Sequence, residues 1–490
     1  MRPLSALFCV AAATAPPLEL FPGTNVAFTL NTGPGPSGQH AGESGPFIKF
    51  VAPHAPTLAA CAAAAAAWSN ASAPADRCLS AAWFRAPPNA SWALQCYCLV
   101  SPKFIPAPSA GVDSARLLWP CADDADCSLN GACSAATGAC ACDPGWRGAR
   151  CGELALLPVD AAAPGLRAMD AGGRNVSTWG APMLRDEATG LWHAWPSEMQ
   201  RGCGLNSWKT NSHIVHYTAA SPGGPWARGA EAFPAFAHEP GVVRGPAGEL
   251  VMIFSSFALA NASDACTACA NGVTLALAQK GGCGPDAAHG FKTLLAVAPG
   301  FGAPWGAPLE LHRLNAQWDW NTAAAIQPNG SAVALLRGGF AWAAGAYADA
   351  AAWAPAGGAP GMGVPLPDAN IEDPFVYRDA RGRFHAILHA MDVGDDPSFC
   401  GGHAFSADGV AWTYTGFAFG NVANYSDGTA RAFSRRERPH LLFARDGVTP
   451  LALSSGVQFD APAGVECTIG GRPAACDPVF TLVQPIAGSA

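Results

Sequence analysis

The sequence predicts a mainly β chain in three parts: a small disulfide-rich N-terminal module, a compact six-cysteine module and a C-terminal five-bladed β-propeller. Three observations predict it. Six cysteines crowd between Cys121 and Cys151. A strand–turn–strand phrase recurs five times after them. Few stretches carry the i, i+3, i+4 apolar spacing of a helix. At 490 residues the chain exceeds one ordinary core, so several domains are expected.

Composition narrows the function classes. Charged residues make up 13% of the chain and the net charge is −8. The densest basic stretch, Arg431 to Arg438, is broken by Glu437. Nucleic acid and anionic lipid are therefore not expected partners. Residues 1–15 pair Arg2 with a short apolar run ending in small residues, the pattern of a signal peptide. No later segment holds the roughly 20 unbroken apolar residues that span a bilayer. Eighteen cysteines fit an oxidising compartment, and loss of Cys9 with the signal peptide would leave an odd number. Six N-x-S sequons, at Asn70, Asn89, Asn175, Asn261, Asn329 and Asn424, are candidate glycan sites on exposed turns. A secreted, extracellular glycoprotein is the expectation.

Residues 18–115 hold Cys61, Cys78, Cys96 and Cys98 with three tryptophans between them, which suggests a small two-disulfide module. The stretch from Cys78 to Cys98 resembles the apple/PAN-like modules of extracellular proteins. A compact segment without a binding role is the competing reading.

Residues 117–152 contain cysteines separated by 5, 5, 6, 1 and 8 residues and end in Cys142-Asp-Pro-Gly-Trp-Arg-Gly-Ala-Arg-Cys151. Six cysteines permit fifteen pairings. The spacing and the Gly145-Trp146 turn resemble the EGF-like family, and Gly148 suits a position where a side chain would obstruct the closing loop. The resemblance implies the pairs Cys121–Cys133, Cys127–Cys140 and Cys142–Cys151. Crosslinks would stabilise a module too short for a core of its own. A zinc site fits poorly, because Cys-x-Cys flanked by single cysteines lacks ligand spacing. No acidic group stands just before Cys121, so calcium is not expected there.

The phrase recurring over residues 170–482 is a proline, an apolar strand, a glycine eight residues after the proline, and a second apolar strand. Its copies run Pro182 to Gly190, Pro240 to Gly248, Thr322 to Gly330 without the proline, Pro374 to Gly382 and Pro439 to Gly447. Further strand pairs between copies complete units of about four strands. Five such units argue for a five-bladed propeller. A β-sandwich, the competing architecture, does not explain a phrase repeated at a constant offset.

The segments NIEDPFVYRDARGRFHAILH, GGHAFSADGVAWTYTG and RRERPHLLFARDG resemble the five-bladed propeller glycosidases of the arabinanase/xylosidase type, glycoside hydrolase family 43 and relatives. The resemblance implies that polar residues just before each repeated proline converge on a central, carbohydrate-binding pocket. It places Glu372 at the proton-donor position of blade four, and Asn321, with Asp319 nearby, at the blade-three position that tunes it. Blade one offers Gly180-Ala181 where those enzymes carry an aspartate base. Asp373, Glu239 and Glu437 are the other candidate catalytic carboxylates. His238, Asn321, Arg436, Arg438, Trp318, Trp320 and His403 are the candidate sugar-binding residues.

Each candidate has a structural reading as well. Asp373 could cap a turn, Arg436, Glu437 and Arg438 could form an ion-pair network, and the tryptophans could pack between blades. No metal is expected, because His213, His238 and His403 lack ligand spacing, and no cofactor is implied. Cys203, Cys266, Cys269, Cys283, Cys400, Cys467 and Cys476 are expected to staple loops. The alternative to a hydrolase is an inactive propeller that binds glycans or extracellular proteins.

Overall fold

The computed structural model describes residues 120–169, 175–200, 204–205, 208–257, 291–311, 321–339, 341–356, 371–390, 401–458 and 479–488. It also describes the backbone of short strands within 18–117 and 467–474. Cα packing divides the chain into two units, residues 1–122 with 133–139, and residues 123–132 with 140–490. The cysteines expected to staple loops lie outside the described residues, apart from the backbone of Cys467. The signal-peptide expectation falls outside them too.

The first unit contains a five-stranded antiparallel sheet in the order Leu18–Phe21, Val112–Leu117, Ser80–Phe84, Cys96–Leu99, Ile48–Ala52. Thr24–Val26 pairs with Pro106–Pro108 beside it in sequence. The EGF-like module forms the three disulfides that its resemblance implied, Cys121–Cys133, Cys127–Cys140 and Cys142–Cys151.

The second unit holds five antiparallel sheets in succession, and these are the five blades. Blade two runs Ala237–Arg244, Leu250–Phe257, Phe291–Ala298, Leu309–Glu310. Blade three runs Ala323–Ile326, Ala332–Leu335, Ala341–Ala344, Trp353–Pro355. Blade four runs Ile371–Arg378, Phe384–Ala390, Gly401–Ser406, Thr413–Phe419. In blade one the inner strand is broken into Thr178–Trp179 and Met183–Arg185, and the next into Trp192–Ala194 and Ser197–Met199. Both halves pair with the neighbouring pieces, and Ser212–Ala219 and Ala227–Phe233 complete the sheet.

Blade five shows how the ring closes. Arg435–Phe443, Pro450–Gln458 and Val479–Pro485 come from the end of the chain, but the outermost strand, Gly165–Leu166, precedes blade one. Joining the two ends in one sheet removes an open edge from the ring. Apolar clusters between sheets supply the core: Leu166, Met183, Trp192 and Tyr217 with Leu442 and Val483, then Val251, Ile253 and Leu295 with Ala334, Leu336 and Trp353.

The repeated glycines are the hairpin turns. Gly190, Gly248, Gly330, Gly382 and Gly447 all have φ between 76° and 91°, a conformation that favours glycine.

Candidate active site at the propeller axis

The residue at the start of each inner strand carries the left-handed backbone conformation in all five blades. Gly180, Glu239, Asn321, Asp373 and Arg438 have φ between 51° and 58°. In blades two, four and five this residue sits in a β-bulge immediately before the proline. Four of the five are not glycine, so each bears a backbone cost that only the surrounding structure can hold. The bulge interrupts the alternation of the strand and groups these side chains at one end of the axis.

There they bond to one another. The guanidinium of Arg438 donates from Nη1 to Asp373 Oδ1 at 3.2 Å, and its backbone N–H donates to Asp373 Oδ2 at 3.1 Å. Nη2 of Arg438 donates to the Pro240 carbonyl at 3.3 Å, and the Asn321 amide donates to Asp373. Arg438, Asp373 and Asn321 are all at most 4% exposed. Beyond Arg438 the axis narrows to a cavity of about 10 Å³ lined by Val242, Ile253, Thr322, Phe375 and His440, room for about one water.

Glu239 lies in the same buried layer. Ser255 Oγ donates to its Oε2 at 3.3 Å, and its backbone N–H donates to Ser197 Oγ at 2.9 Å. His238 Nε2 stands 3.7 Å from Glu239 Oε1. Burial pushes the Glu239 carboxyl up to about 8, against the pull of Arg438 and with the push of Asp373 and Glu372. The hydrogen bonds agree. The Ser212 hydroxyl donates to the Ala237 carbonyl at 2.9 Å, so it accepts from His238 Nδ1 at 2.6 Å. A neutral His238, favoured by its burial, then turns the lone pair of Nε2 toward Glu239. A protonated Glu239 suits that lone pair. The His238 ring also stacks on Trp208, with centroids 5.0 Å apart.

The more open part of the site is built around Glu372, whose side chain is 17% exposed. Arg337 pairs with one of its oxygens, and His389 Nδ1 lies 3.7 Å from the other. Burial opposes ionisation of Glu372, but His389 and Arg337 outweigh it and hold the carboxyl below its usual range. Glu437 shares the neighbourhood, with its side chain 14% exposed and Arg435 3.5 Å away. Burial pushes its pKa up, and the charges of Asp373 and Glu372 add to that. Two carboxyls close enough for the charge of one to act on the other are thus driven in opposite directions.

Arg337 and His389 were not among the residues singled out from the sequence. Their signal is an offset: each stands fifteen residues after its phrase position, at Thr322 and Pro374. Ser197, Ser255 and Ser454 hold the same position in the other blades. Those serines bind the neighbouring blade: Ser197 Oγ accepts from Glu239 N–H, Ser255 Oγ from Asn321 N–H at 3.4 Å, and Ser454 Oγ donates to the Ala181 carbonyl at 2.8 Å. In blades three and four a cation-forming side chain replaces the serine, and both reach Glu372.

One ligand atom from each of Glu372, Asp373 and His389 lies within 4.8 Å of the others, a spacing open to a cation. Arg337 and Arg438 already neutralise the two carboxylates, so the set is a poor cation host.

The structure brings together Glu239, Asn321, Glu372, Asp373, Glu437, Arg438 and His238. Trp318, Asp319 and Trp320 lie outside the described residues. Arg436 and His403 stand elsewhere. Arg436 is 1% exposed, and its guanidinium donates to Ser455 Oγ, the Gly420 carbonyl and Gln484 Oε1 over the ring of Phe419. Strand alternation turns it away from the side that Glu437 faces, and the bulge then redirects Arg438. His403 is fully buried on the third strand of blade four, under Trp146 of the EGF-like module.

A family model for a teneurin-like EGF domain matches residues 124–153. No curated protein matches the chain. Among solved structures, an endo-arabinase from Bacteroides thetaiotaomicron is similar at 13% identity and a TM-score of 0.38, over 66% of this chain and 97% of that one. A GH62 hydrolase in complex with xylotriose is similar at 9% identity and a TM-score of 0.43, over 68% and 98%. A xylan beta-1,4-xylosidase from Bacillus halodurans is similar at 11% identity and a TM-score of 0.39, over 67% and 54%. The five-bladed assignment rests on the strand pairing of this chain.

Proposed function

We propose that this is a secreted, extracellular, carbohydrate-active protein whose propeller binds a glycan over Glu372, His389, Arg337 and Glu437 and hydrolyses a glycosidic bond there. One observation carries the reading: two carboxyl groups at the axis are shifted in opposite directions, Glu372 toward the anion and Glu437 toward the acid. Glycoside hydrolysis needs such a pair. In the proposed step Glu372 takes a proton from water, whose oxygen forms a bond to the anomeric carbon. The carbon–oxygen bond to the leaving group breaks, and the leaving oxygen takes its proton from Glu437. Burial favours the protonated form of Glu437, the charges of Asp373 and Glu372 add to that against His389 and Arg435, and Arg438 and Asn321 hold Asp373 in place. This assignment gives Glu372 the part of base, the reverse of the part its sequence position suggested.

The experiment is turnover of a panel of polysaccharides and aryl glycosides by the full chain, with binding measured in parallel. Glu372→Gln and Glu437→Gln should each lower turnover by about 10²-fold or more while binding persists. Turnover indifferent to both substitutions overturns the assignment.

A second reading, glycan binding without cleavage, is favoured by Gly180. No side chain fits at that position, so blade one cannot supply the base expected there. Binding with no turnover on any substrate supports it. Glycans on Asn329 and Asn424, both exposed, belong to either reading.

A further inference from the structure

The EGF-like module is tied to blade four at the hairpin between its first two strands. Arg381 pairs with Asp143 and donates from Nη2 to the Leu129 carbonyl at 2.7 Å. Arg383 Nη2 donates to Asp124 at 3.0 Å. Between these ties lies His403, which no part of the proposed chemistry uses. Asn130 Nδ2 stands 3.1 Å from its Nε2, His385 Nδ1 stands 3.2 Å from the same atom, and Trp146 covers the ring at 4.7 Å between centroids.

The protonation of His403 follows from its neighbours. The Thr415 hydroxyl donates to the His403 carbonyl at 3.1 Å, which commits its only proton. Thr415 Oγ1 therefore accepts from His403 Nδ1 at 2.8 Å. With the proton on Nδ1, Nε2 of a neutral ring is an acceptor. The amide of Asn130, which also reaches the Cys151 carbonyl at 3.4 Å, is its donor. A second proton on His403 can go only to Nε2, where it would face the amide N–H of Asn130, the group that the EGF-like module places there.

We propose that His403 is a pH-sensitive latch: docking of the EGF-like module on blade four requires its neutral ring, and acidification loosens the module.

The charged and titratable surroundings are few. On blade four, Asp379 Oδ2 lies 3.6 Å from His385 Nε2, and Tyr377 stacks on His385. Arg381 bridges Asp379 and Asp143, and Arg383 reaches Asp124. None of these places a carboxylate on His403. Burial keeps its pKa well below the ordinary histidine value, and the charge of His385 adds to that. Below about pH 6.5 the undocked state therefore binds more protons than the docked one. Docking should weaken by up to about tenfold per pH unit, at most about 30-fold by pH 5.

The test is hydrogen–deuterium exchange of the full chain between pH 7.5 and 5, corrected for intrinsic rates. Peptides covering 124–132 and 140–153 should lose protection in acid while the inner strand Ile371–Arg378 keeps it. His403→Gln, which cannot be protonated, should retain the module's protection at pH 5. In the wild-type chain the His403 imidazole resonance should titrate with the same midpoint as the loss of protection. Protection in the module that persists to pH 5, or is lost alike in wild type and His403→Gln, overturns the proposal. So does a His403 resonance that titrates at a different midpoint.

Discussion

Gly180 and Arg438 meet where blade five closes on blade one: a Cβ added to Gly180 would stand 2.3 Å from the Cβ of Arg438. Gly180 also has φ +53°. The other four blades hold that conformation with side chains larger than glycine, so it is the approach of Arg438, added to the backbone strain, that requires glycine at the position where the family resemblance places an aspartate.

Gly180→Ala should therefore destabilise the propeller by about 2–4 kcal/mol, through backbone strain and a clash together. Gly248→Ala is the control, because Gly248 has φ +91° with open space around it. It should cost only the strain, about 1 kcal/mol. Thermal melts of the two variants separate the contributions, and equal losses would mean that Arg438 yields to the added methyl.

Asp373 and Arg438 are a buried pair with side chains 4% and 5% exposed. Removing one partner leaves the other charged and unpaired, at a cost of about 3–5 kcal/mol. Asp373→Ala should show that loss in the denaturation midpoint. Adding Arg438→Met should recover part of it, since the second change removes the stranded charge. A double variant as unstable as the two single losses combined would mean that the pair is not coupled.

Much of this fold is legible in the sequence because one local rule repeats. A proline eight residues before a glycine marks the hairpin in four of five blades, and in three of those it marks a bulge as well. The rule gave Glu239, Asn321, Asp373 and Arg438 equivalent positions, each directly before the phrase, and the resemblance to propeller glycosidases is what implied that such positions face the axis. What the rule could not show is pairing distant in sequence. Gly165–Leu166 has no pattern that assigns it to blade five. Arg381 and Arg383 read as an ordinary charged turn, yet they hold the EGF-like module. Glu437 and Arg436 are neighbours, but strand alternation sends one to the site and the other into the packing between strands.

Arg436 accordingly gives a prediction that separates stability from binding. Arg436→Met would strand the buried Gln484 oxygen and the half-buried Gly420 carbonyl, at a cost of about 2–4 kcal/mol. Affinity for any glycan bound at the axis should stay within about twofold, below the cost of a typical single hydrogen bond. Isothermal titration below the variant's melting range measures it. A large loss of affinity in a folded variant would return Arg436 to the pocket.

Glu239 makes the propeller's stability depend on pH in a defined direction. Its folded pKa, pushed up to about 8 by burial, exceeds the ordinary carboxyl value of 4.5. Between those values the folded state holds a proton that the unfolded state releases. The resulting contribution to stability is complete below about pH 4.5, is lost progressively as pH rises, and is gone above about pH 8. The buried histidines His238 and His440, whose pKa values are lowered, push the other way, so the wild-type curve alone is ambiguous. Glu239→Gln isolates the effect. The glutamine amide can donate to His238 Nε2 as the protonated carboxyl would, and it does not titrate. The stability of the wild type relative to this variant should fall by up to about 1.4 kcal/mol per pH unit between pH 5 and 8. Denaturant titrations at four pH values across that window measure the difference. A constant difference would mean that Glu239 is ionised in the folded protein, and that Arg438 rather than burial governs it.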